Sequence, residues 1–330
     1  MKRHLLFLAA LLIVNLAASA QKKFSVYAVG FYNQENLFDT CHDEGKKDYE
    51  YLPNKGWNGM KYTNKLRNMS KALADMGTDV LPNVGCAFIG LSEVENHKVL
   101  DALVDQAPLK ARNMKYVHIE GPDRRGIDCA LLYNPSLFSV KNVKLLPYVQ
   151  ELAKDSAFFT RGFLTVRGEM AGDDVAVIVC HWPSRFSGPF YRESAARQVK
   201  VIKDSLLNVN QEMKIFVMGD MNDDPVNKSM HVYLQAKPEI SQVGAGDMYN
   251  PWYNVLAKEG KGTLFYSGNW NLFDQIVITP NLLNKDAKKK DYSSLKYWKS
   301  HIFRRDYLIQ QEGQYLSLIH ISEPTRLRCI

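Results

Sequence analysis

Five short stretches of this chain end an apolar run in polar side chains capable of chemistry. In "FYNQENLFD", Asn33 and Glu35 stand two residues apart, which puts them on one side of an extended chain. "FIGLSEVEN" delivers Glu93 and Glu95 with the same period. "VAVIVCHWPSR" ends in His181, with Arg185 close behind and Arg192 a little further on. In "IFVMGDMNDDP", Gly219 permits a sharp bend, and Asp220 and Asn222 then share a side. "NLFDQIVIT" sets Asp274 at the start of an apolar run.

Each stretch has a plainer use when taken singly. Asp-x-Asn after a strand makes a turn or a helix cap. A lone His beside Trp-Pro suits a packed core, and Asn96 suits the cap of a following helix. Together they carry a different message, because active sites of α/β proteins collect where strands end. Carboxylates, amides and one imidazole gathered there suit metal-assisted hydrolysis of a phosphoester. Mg²⁺ takes oxygen from one or two carboxylates and keeps several waters; Mn²⁺ and Ca²⁺ accept similar ligands. A carboxylate can orient the attacking water, and an imidazolium or amide can donate to charge growing on phosphoryl oxygens. Zinc is disfavoured, since no His/Cys group has its ligand spacing.

The elements that must hold these residues read as short apolar runs alternating with amphipathic helices, the pattern of an α/β protein. Strands are expected at 24–32, 87–91, 129–133, 163–168, 175–180, 215–218 and 273–278. Most are nearly continuous in apolar residues and should be buried on both faces. Thr63 is expected to cap a helix carrying Leu66, Met69, Leu73 and Met76, which Gly77 stops. A second helix, 192–207, aligns Ala195, Val199, Ile202 and Leu206 on one face.

At these residues the sequence resembles the endonuclease/exonuclease/phosphatase superfamily, with the DNase I-like fold. The likeness rests on six motifs in the family's order: Asn-x-x-Asn-Leu, Ser-Glu-Val-Glu-Asn, Arg-Gly-Ile-Asp-x-Ala-Leu-Leu-Tyr, His-Trp-Pro-Ser-Arg, Gly-Asp-x-Asn-Asp and Phe-Asp-Gln-Ile. The resemblance implies a four-layer α/β/β/α sandwich, two mixed, mostly antiparallel sheets packed face to face with helices outside. It implies Glu93 as the principal Mg²⁺ ligand and Asn33 as the amide near metal and phosphate, with Glu35 a second acidic residue in some members. His181 corresponds to the imidazole that contacts phosphate and protonates the leaving oxygen. Asp220 corresponds to the carboxylate that activates water, Asn222 to the amide on the phosphoryl oxygen, and Asp274 to a supporting acid. Arg185 and Arg192 are candidate phosphate contacts.

The family's last strand begins with Ser-Asp-His, and no Asp-His pair follows Asp274. "FRRDYLIQQEG" resembles the stretch preceding that strand, whereas "LSLIHISEPTR" resembles a translated sequencing-library adapter. Residues 316–330 are therefore expected to lie outside the natural domain, which spans 21–315 and lacks its last strand. Such a chain would leave a sheet edge uncovered and could be inactive.

At the other end, two basic residues, an apolar run from Leu5 to Leu16 and the small residues Ala18-Ser19-Ala20 describe a secretory signal over residues 1–20. The mature protein is expected to be secreted or periplasmic, monomeric and without a spanning helix. Its formal net charge, +7 for the whole chain, is mild and does not by itself indicate nucleic acid. "KDAKKKD" at 285–291 reads as a solvated loop. Five cysteines are an odd number: Cys86, Cys129 and Cys180 read as buried hydrophobes, and Cys41 lies in a polar loop.

The leading expectation is an exported, Mg²⁺-dependent phosphoesterase, most simply a DNase I-like endonuclease cutting phosphodiesters of nucleic acid. One alternative is a phosphatase or a lipid phosphodiesterase acting on phosphoinositide or sphingomyelin-like head groups. Another is a binding module that kept the scaffold without catalysis.

Overall fold

The computed structural model describes residues 25–151, 159–266, 268–286, 291–308 and 326–329. The expected signal segment, residues 287–290 of the basic loop and His320 lie outside the described residues.

In chain order the strands are β1 (Ala28–Leu37), β2 (Cys86–Val94), β3 (Lys115–His118), β4 (Asp128–Tyr133), β5 (Ser139–Leu146), β6 (Phe163–Met170), β7 (Asp173–His181) and β8 (Lys214–Asp220). After them come β9 (Ala236–Lys237), β10 (Met248–Tyr249), β11 (Leu264–Tyr266), β12 (Asn269–Asn271), β13 (Asp274–Ile278), β14 (His301–Ile302) and β15 (Arg326–Cys329). The main helices are α1 (Gly59–Asp75), α2 (His97–Val104), α3 (Ala107–Ala111), α4 (Pro189–Val209) and α5 (Trp252–Ala257).

The strands form a six-stranded sheet, β14-β15-β1-β2-β4-β3, and a seven-stranded sheet, β5-β6-β7-β8-β13-β10-β9, with β11 and β12 as a separate hairpin. Parallel pairing occurs at β1/β2, β7/β8 and β9/β10, and the remaining pairs are antiparallel. Side-chain alternation explains why these runs are apolar throughout. On β7, Val175, Val177 and Val179 face the other sheet while Ala176, Ile178 and Cys180 face α4. On β8, Phe216 and Met218 point inward and Ile215 and Val217 outward. Likewise β1 gives Val29 and Phe31 to the space between the sheets, and Ala28 and Tyr32 to the layer under α1 and α2. Three apolar layers therefore separate four layers of structure, the expected α/β/β/α sandwich. Burying a side chain such as Phe88 fully stabilises the fold by roughly 1.5–3 kcal/mol.

Some local expectations are corrected. Helix α1 begins at Gly59, where the Asn58 side chain accepts from Lys61 N, so Thr63 lies inside the helix rather than capping it. Gly219 does not bend the chain, since β8 runs through it to Asp220. Its lack of a Cβ instead permits close strand approach, for a Cβ there would stand 2.2 Å from the Cys180 carbonyl oxygen. Asn96 does cap α2, accepting from Lys98 N and Val99 N.

Segment Arg326–Cys329, expected outside the domain, pairs antiparallel with β1 from Gly30↔Cys329 to Asn33↔Arg326. The β1 edge is thus covered in this structure. Cys86, Cys129 and Cys180 are buried, and Cys41 is exposed. Among the described residues no helix is long and apolar enough to cross a membrane.

Candidate active site

The seven-stranded sheet places three of the candidate residues in one row. His181 at the end of β7 pairs in register with Asp220 at the end of β8, and Asp220 pairs with Asp274 at the start of β13. Because β7 and β8 are parallel, both chains leave the sheet at the same end, so their last side chains share one rim.

The six-stranded sheet brings Asn33 and Glu93 to that rim through irregular backbone. The β1/β2 register shifts between Asn33 and Leu37, where Glu35 (φ 48°) and Asn36 (φ 62°) are left-handed. The β2/β4 register shifts between Ser92 and Val94, around Glu93 at φ 59°. Side chains other than glycine seldom occupy this region, and each such residue costs on the order of 1 kcal/mol or more. The simple alternation expected for Asn33/Glu35 and Glu93/Glu95 is therefore broken at Glu35 and Glu93. The acids part company accordingly: the Glu93 side chain keeps 14% exposure, whereas Glu95 is buried. Glu95 closes the end of β1, accepting from Asp39 N at 2.7 Å while its own N–H donates to Leu37 O at 3.1 Å. Burial, with Asp39, Asp43 and Asp48 nearby, pushes its carboxyl up to about 8.

The two sheets meet at this rim. Asn33 Nδ2 donates to Asp220 Oδ2 at 2.9 Å, and Asn222 N donates to Asp220 Oδ1 at 2.8 Å, so both carboxylate oxygens are held. His181 Nε2 lies 3.6 Å from Glu93 Oε1. Asn222, left-handed at φ 48°, turns its amide back so that Nδ2 donates to Trp182 O at 2.9 Å. Asp274 is buried, and Thr263 Oγ1 donates to its Oδ2 at 3.4 Å. Glu35 donates its backbone N–H to Asn33 Oδ1 at 2.8 Å.

The two arginines differ. Arg185 is half exposed and lies over the Phe273 ring at 4.3 Å. It donates to Asn222 O at 3.1 Å and pairs with Asp224 at 2.8 Å, bracing the turn after Asp220. Arg192 is buried, pairs with Asp223 Oδ1 at 2.8 Å and donates to Ser184 O and Gly188 O at 2.9 and 3.1 Å. Its guanidinium is turned to the protein, tying α4 to the loop that follows His181. Burial keeps the Asp223 carboxyl above the usual carboxylate range, against hydrogen bonding from Ser229 and the charges of Arg192 and Arg185.

Several participants escaped the sequence reading. Lys65 is buried and donates Nζ to Glu35 O; a lysine beside Leu66 and Met69 on an apolar face was a usable signal. Arg161 pairs with Asp123 at 3.0 Å and donates to Trp182 O at 3.3 Å, and no motif marked either residue.

For a divalent cation, the donors that could serve at the rim are oxygens of Glu93 and Asn33, which reach it through the contacts with His181 and Asp220. Among the described residues no group of three or more His, Cys, Asp or Glu is arranged to hold a metal. Mg²⁺ needs only one or two carboxylates beside water and substrate oxygens.

Two mixed sheets face to face with helices outside make an α/β/β/α sandwich, with acid, amide and imidazole groups on a shared rim. The profile of the Endonuclease/Exonuclease/phosphatase family matches residues 28–320, and the chain belongs to that family. Truncated TDP2 of Caenorhabditis elegans is similar in fold, with a TM-score of 0.52 at 13% identity over 92% of this chain and 96% of that one. D. rerio TDP2 complexed with single strand DNA product gives 0.52 at 12% identity over 92% and 97%. Mannosyl-6-phosphatase Bt3783 of Bacteroides thetaiotaomicron VPI-5482 gives 0.52 at 12% identity over 92% and 98%. No curated protein sequence matches the chain.

Proposed function

We propose that this protein is an exported, Mg²⁺-dependent phosphoesterase that hydrolyses phosphodiester bonds, a DNase I-like endonuclease. The observation that carries this reading is the meeting of the two sheets, Asn33 on Asp220 at 2.9 Å and His181 facing Glu93 at 3.6 Å. A carboxylate held at both oxygens and an imidazole on the neighbouring strand supply a base and an acid on one rim.

In this reading Asp220 orients the attacking water and takes its proton, while Asn33 fixes the carboxylate that does so. The water oxygen forms a bond to phosphorus as the bond to the leaving oxygen breaks. His181, protonated, gives its proton to that oxygen. Asn222 presents its amide to a phosphoryl oxygen, and Arg185 braces the turn that carries it. Arg192 acts one step back, holding the loop after His181. Asp274 supports Asp220 from the adjoining strand. Glu93, together with Asn33, would hold Mg²⁺, which when bound neutralises charge on the phosphoryl oxygens.

The resemblance to proteins described as a DNA-bound TDP2 and as a mannosyl-6-phosphatase leaves the substrate to experiment. Supercoiled plasmid DNA, phosphoinositide and sphingomyelin vesicles, and sugar phosphates are each incubated with protein and Mg²⁺, with and without EDTA. Nicking of the plasmid that EDTA abolishes supports the reading. Turnover of head groups or monoesters alone replaces the nuclease by a lipid phosphodiesterase or a phosphatase. No turnover of any of them overturns the phosphoesterase.

A further inference from the structure

The Trp182 carbonyl oxygen has two donors. Asn222 Nδ2 reaches it at 2.9 Å from the β8 turn, and Arg161 Nη2 at 3.3 Å from the segment entering β6. The Trp182 N–H donates to Asp220 O at 2.9 Å, and its indole is fully buried. The peptide after His181 is thereby tied to both Asp220 and Asn222. Arg161 is the only member of this hub that comes from outside the β7 and β8 rim among the described residues.

Arg161 is itself held. Its Nη1 pairs with Asp123 Oδ2 at 3.0 Å, with side-chain exposures of only 10% and 5%. Asp123 lies in the loop between β3 and β4, accepts from Arg125 N at 2.8 Å, and through its carbonyl accepts from Lys46 Nζ at 3.2 Å. Arg125 in turn donates to the Asn36 side chain at the bulged end of β1. A continuous line of polar contacts thus runs from the β1 bulge of one sheet, through Asp123 and Arg161, to the residues beside His181 on the other.

A buried ion pair contributes little net stability, because desolvation offsets the attraction. Its effect here is geometric. The two halves of the rim belong to different sheets, and a small slide between them would separate Asn33 from Asp220 and Glu93 from His181. We infer that Arg161, held by Asp123, is a positioning residue: it fixes the Trp182 carbonyl and so sets the Asn222 amide and the His181 ring against the opposite sheet. This role rests on the phosphoesterase reading for its kinetic consequence, and on geometry alone for its structural one.

The test uses the full chain and the variants Arg161→Ala, Arg161→Lys and Asp123→Asn. Two readouts are taken: hydrolysis of bis(4-nitrophenyl) phosphate with Mg²⁺, and ¹⁵N spectra of the His181 ring and the Asn222 side-chain amide. Outer partners of a reactive site typically contribute about 10-fold to 100-fold. Arg161→Ala is expected to lower kcat by that factor with KM nearly unchanged, and guanidinium ion in the buffer is expected to restore part of it. Arg161→Lys and Asp123→Asn should fall between, and all three should shift the His181 and Asn222 signals. A raised KM at unchanged kcat, or unmoved His181 and Asn222 signals in folded Arg161→Ala, overturns the inference. If the wild-type protein hydrolyses no phosphoester, the functional reading fails, and the spectra alone decide whether Arg161 positions these two residues.

Discussion

Asn33 Nδ2 and Asp220 Oδ2 lie 2.9 Å apart, joining two sheets through residues separated by 187 positions in sequence. This contact orients a carboxylate whose other oxygen is also held, by Asn222 N. Replacing Asp220 by Asn keeps the volume and removes the base, so turnover is expected to drop about 10²-fold to 10⁴-fold. Melting temperature should change by only a few degrees. Kinetics and calorimetry on Asp220→Asn decide it, and full activity in the variant removes Asp220 from the reaction.

Glu93, near the end of β2, is less buried than Glu95 just beyond it, and it is the residue expected to take Mg²⁺. Metal that binds the folded protein raises its melting temperature by mass action. The wild-type protein should therefore gain thermal stability with Mg²⁺ and lose activity in EDTA, regained on adding Mg²⁺. Glu93→Gln should lose both the activity and the thermal response, whereas a retained Mg²⁺ shift would place the cation elsewhere.

Much of the architecture is legible in the sequence because β7 and β8 are apolar on both faces, and only a strand between two packed layers needs that pattern. β5 escapes the same reading: its Ser139–Leu146 run is exposed or half-buried along its length and carries no continuous apolar signal. At the site, side chains at strand ends were readable, whereas the left-handed backbone at Glu93 and Glu35 was not, since residue type does not announce it. Trp182 illustrates the harder case. Its contribution at the rim is a carbonyl oxygen, which every residue has, so Arg161 and Asn222 converge there without any sequence mark.

Arg192 and Asp223 form a buried pair whose partners cannot be removed singly without cost. Arg192→Ala leaves Asp223 without its nearest cation and is expected to destabilise the fold by about 3–5 kcal/mol. Asp223 sits above the usual carboxylate range in the folded protein, chiefly through burial. Its contribution to stability is therefore fully present below the unfolded value, near about 4, and is lost as pH rises through the folded value. The variant should enlarge that loss, so denaturant unfolding near neutral pH should show a larger deficit than unfolding near pH 4. A deficit independent of pH would mean that Asp223 is not the source.

Gly219 precedes Asp220 and lies across from Cys180, which precedes His181. A Cβ at 219 would approach the Cys180 carbonyl oxygen to 2.2 Å and the carbonyl carbon to 2.8 Å, both backbone atoms unable to step aside. Gly219→Ala should force β7 and β8 apart where they carry Asp220 and His181. The expected loss is about 1–3 kcal/mol or more, with a fall in kcat. Gly246→Ala, where nothing lies within 4 Å, is the matched control and should change stability by about 0.5 kcal/mol or less. Equal effects at both positions would refute close strand approach as the reason for Gly219.

Asp75 ends α1, where a negative charge meets the negative end of the helix dipole. Arg305 answers it, with Nε at 2.9 Å from Asp75 Oδ2 and Nη1 at 2.7 Å from Asp79 Oδ1, and Tyr307 OH donates to Asp75 at 2.9 Å. These contacts fasten the segment around β14 to the six-stranded sheet's outer helix. Burial acts to raise the Asp75 carboxyl, but hydrogen bonds from Arg305, Thr78 and Tyr307 outweigh it and hold it below the usual range. A carboxyl lowered by folding contributes stability that is present above the unfolded value, near about 4, and is lost as pH falls through the folded value. Because the groups are partly exposed, the contribution is modest, about 1 kcal/mol or less. Arg305→Ala should therefore be less stable than the wild type near pH 7 and converge with it near pH 2, and urea unfolding at both values measures this. A gap that persists in acid would assign the loss to the packing of Arg305 over the Phe303 ring, 4.4 Å away, instead of to its charge.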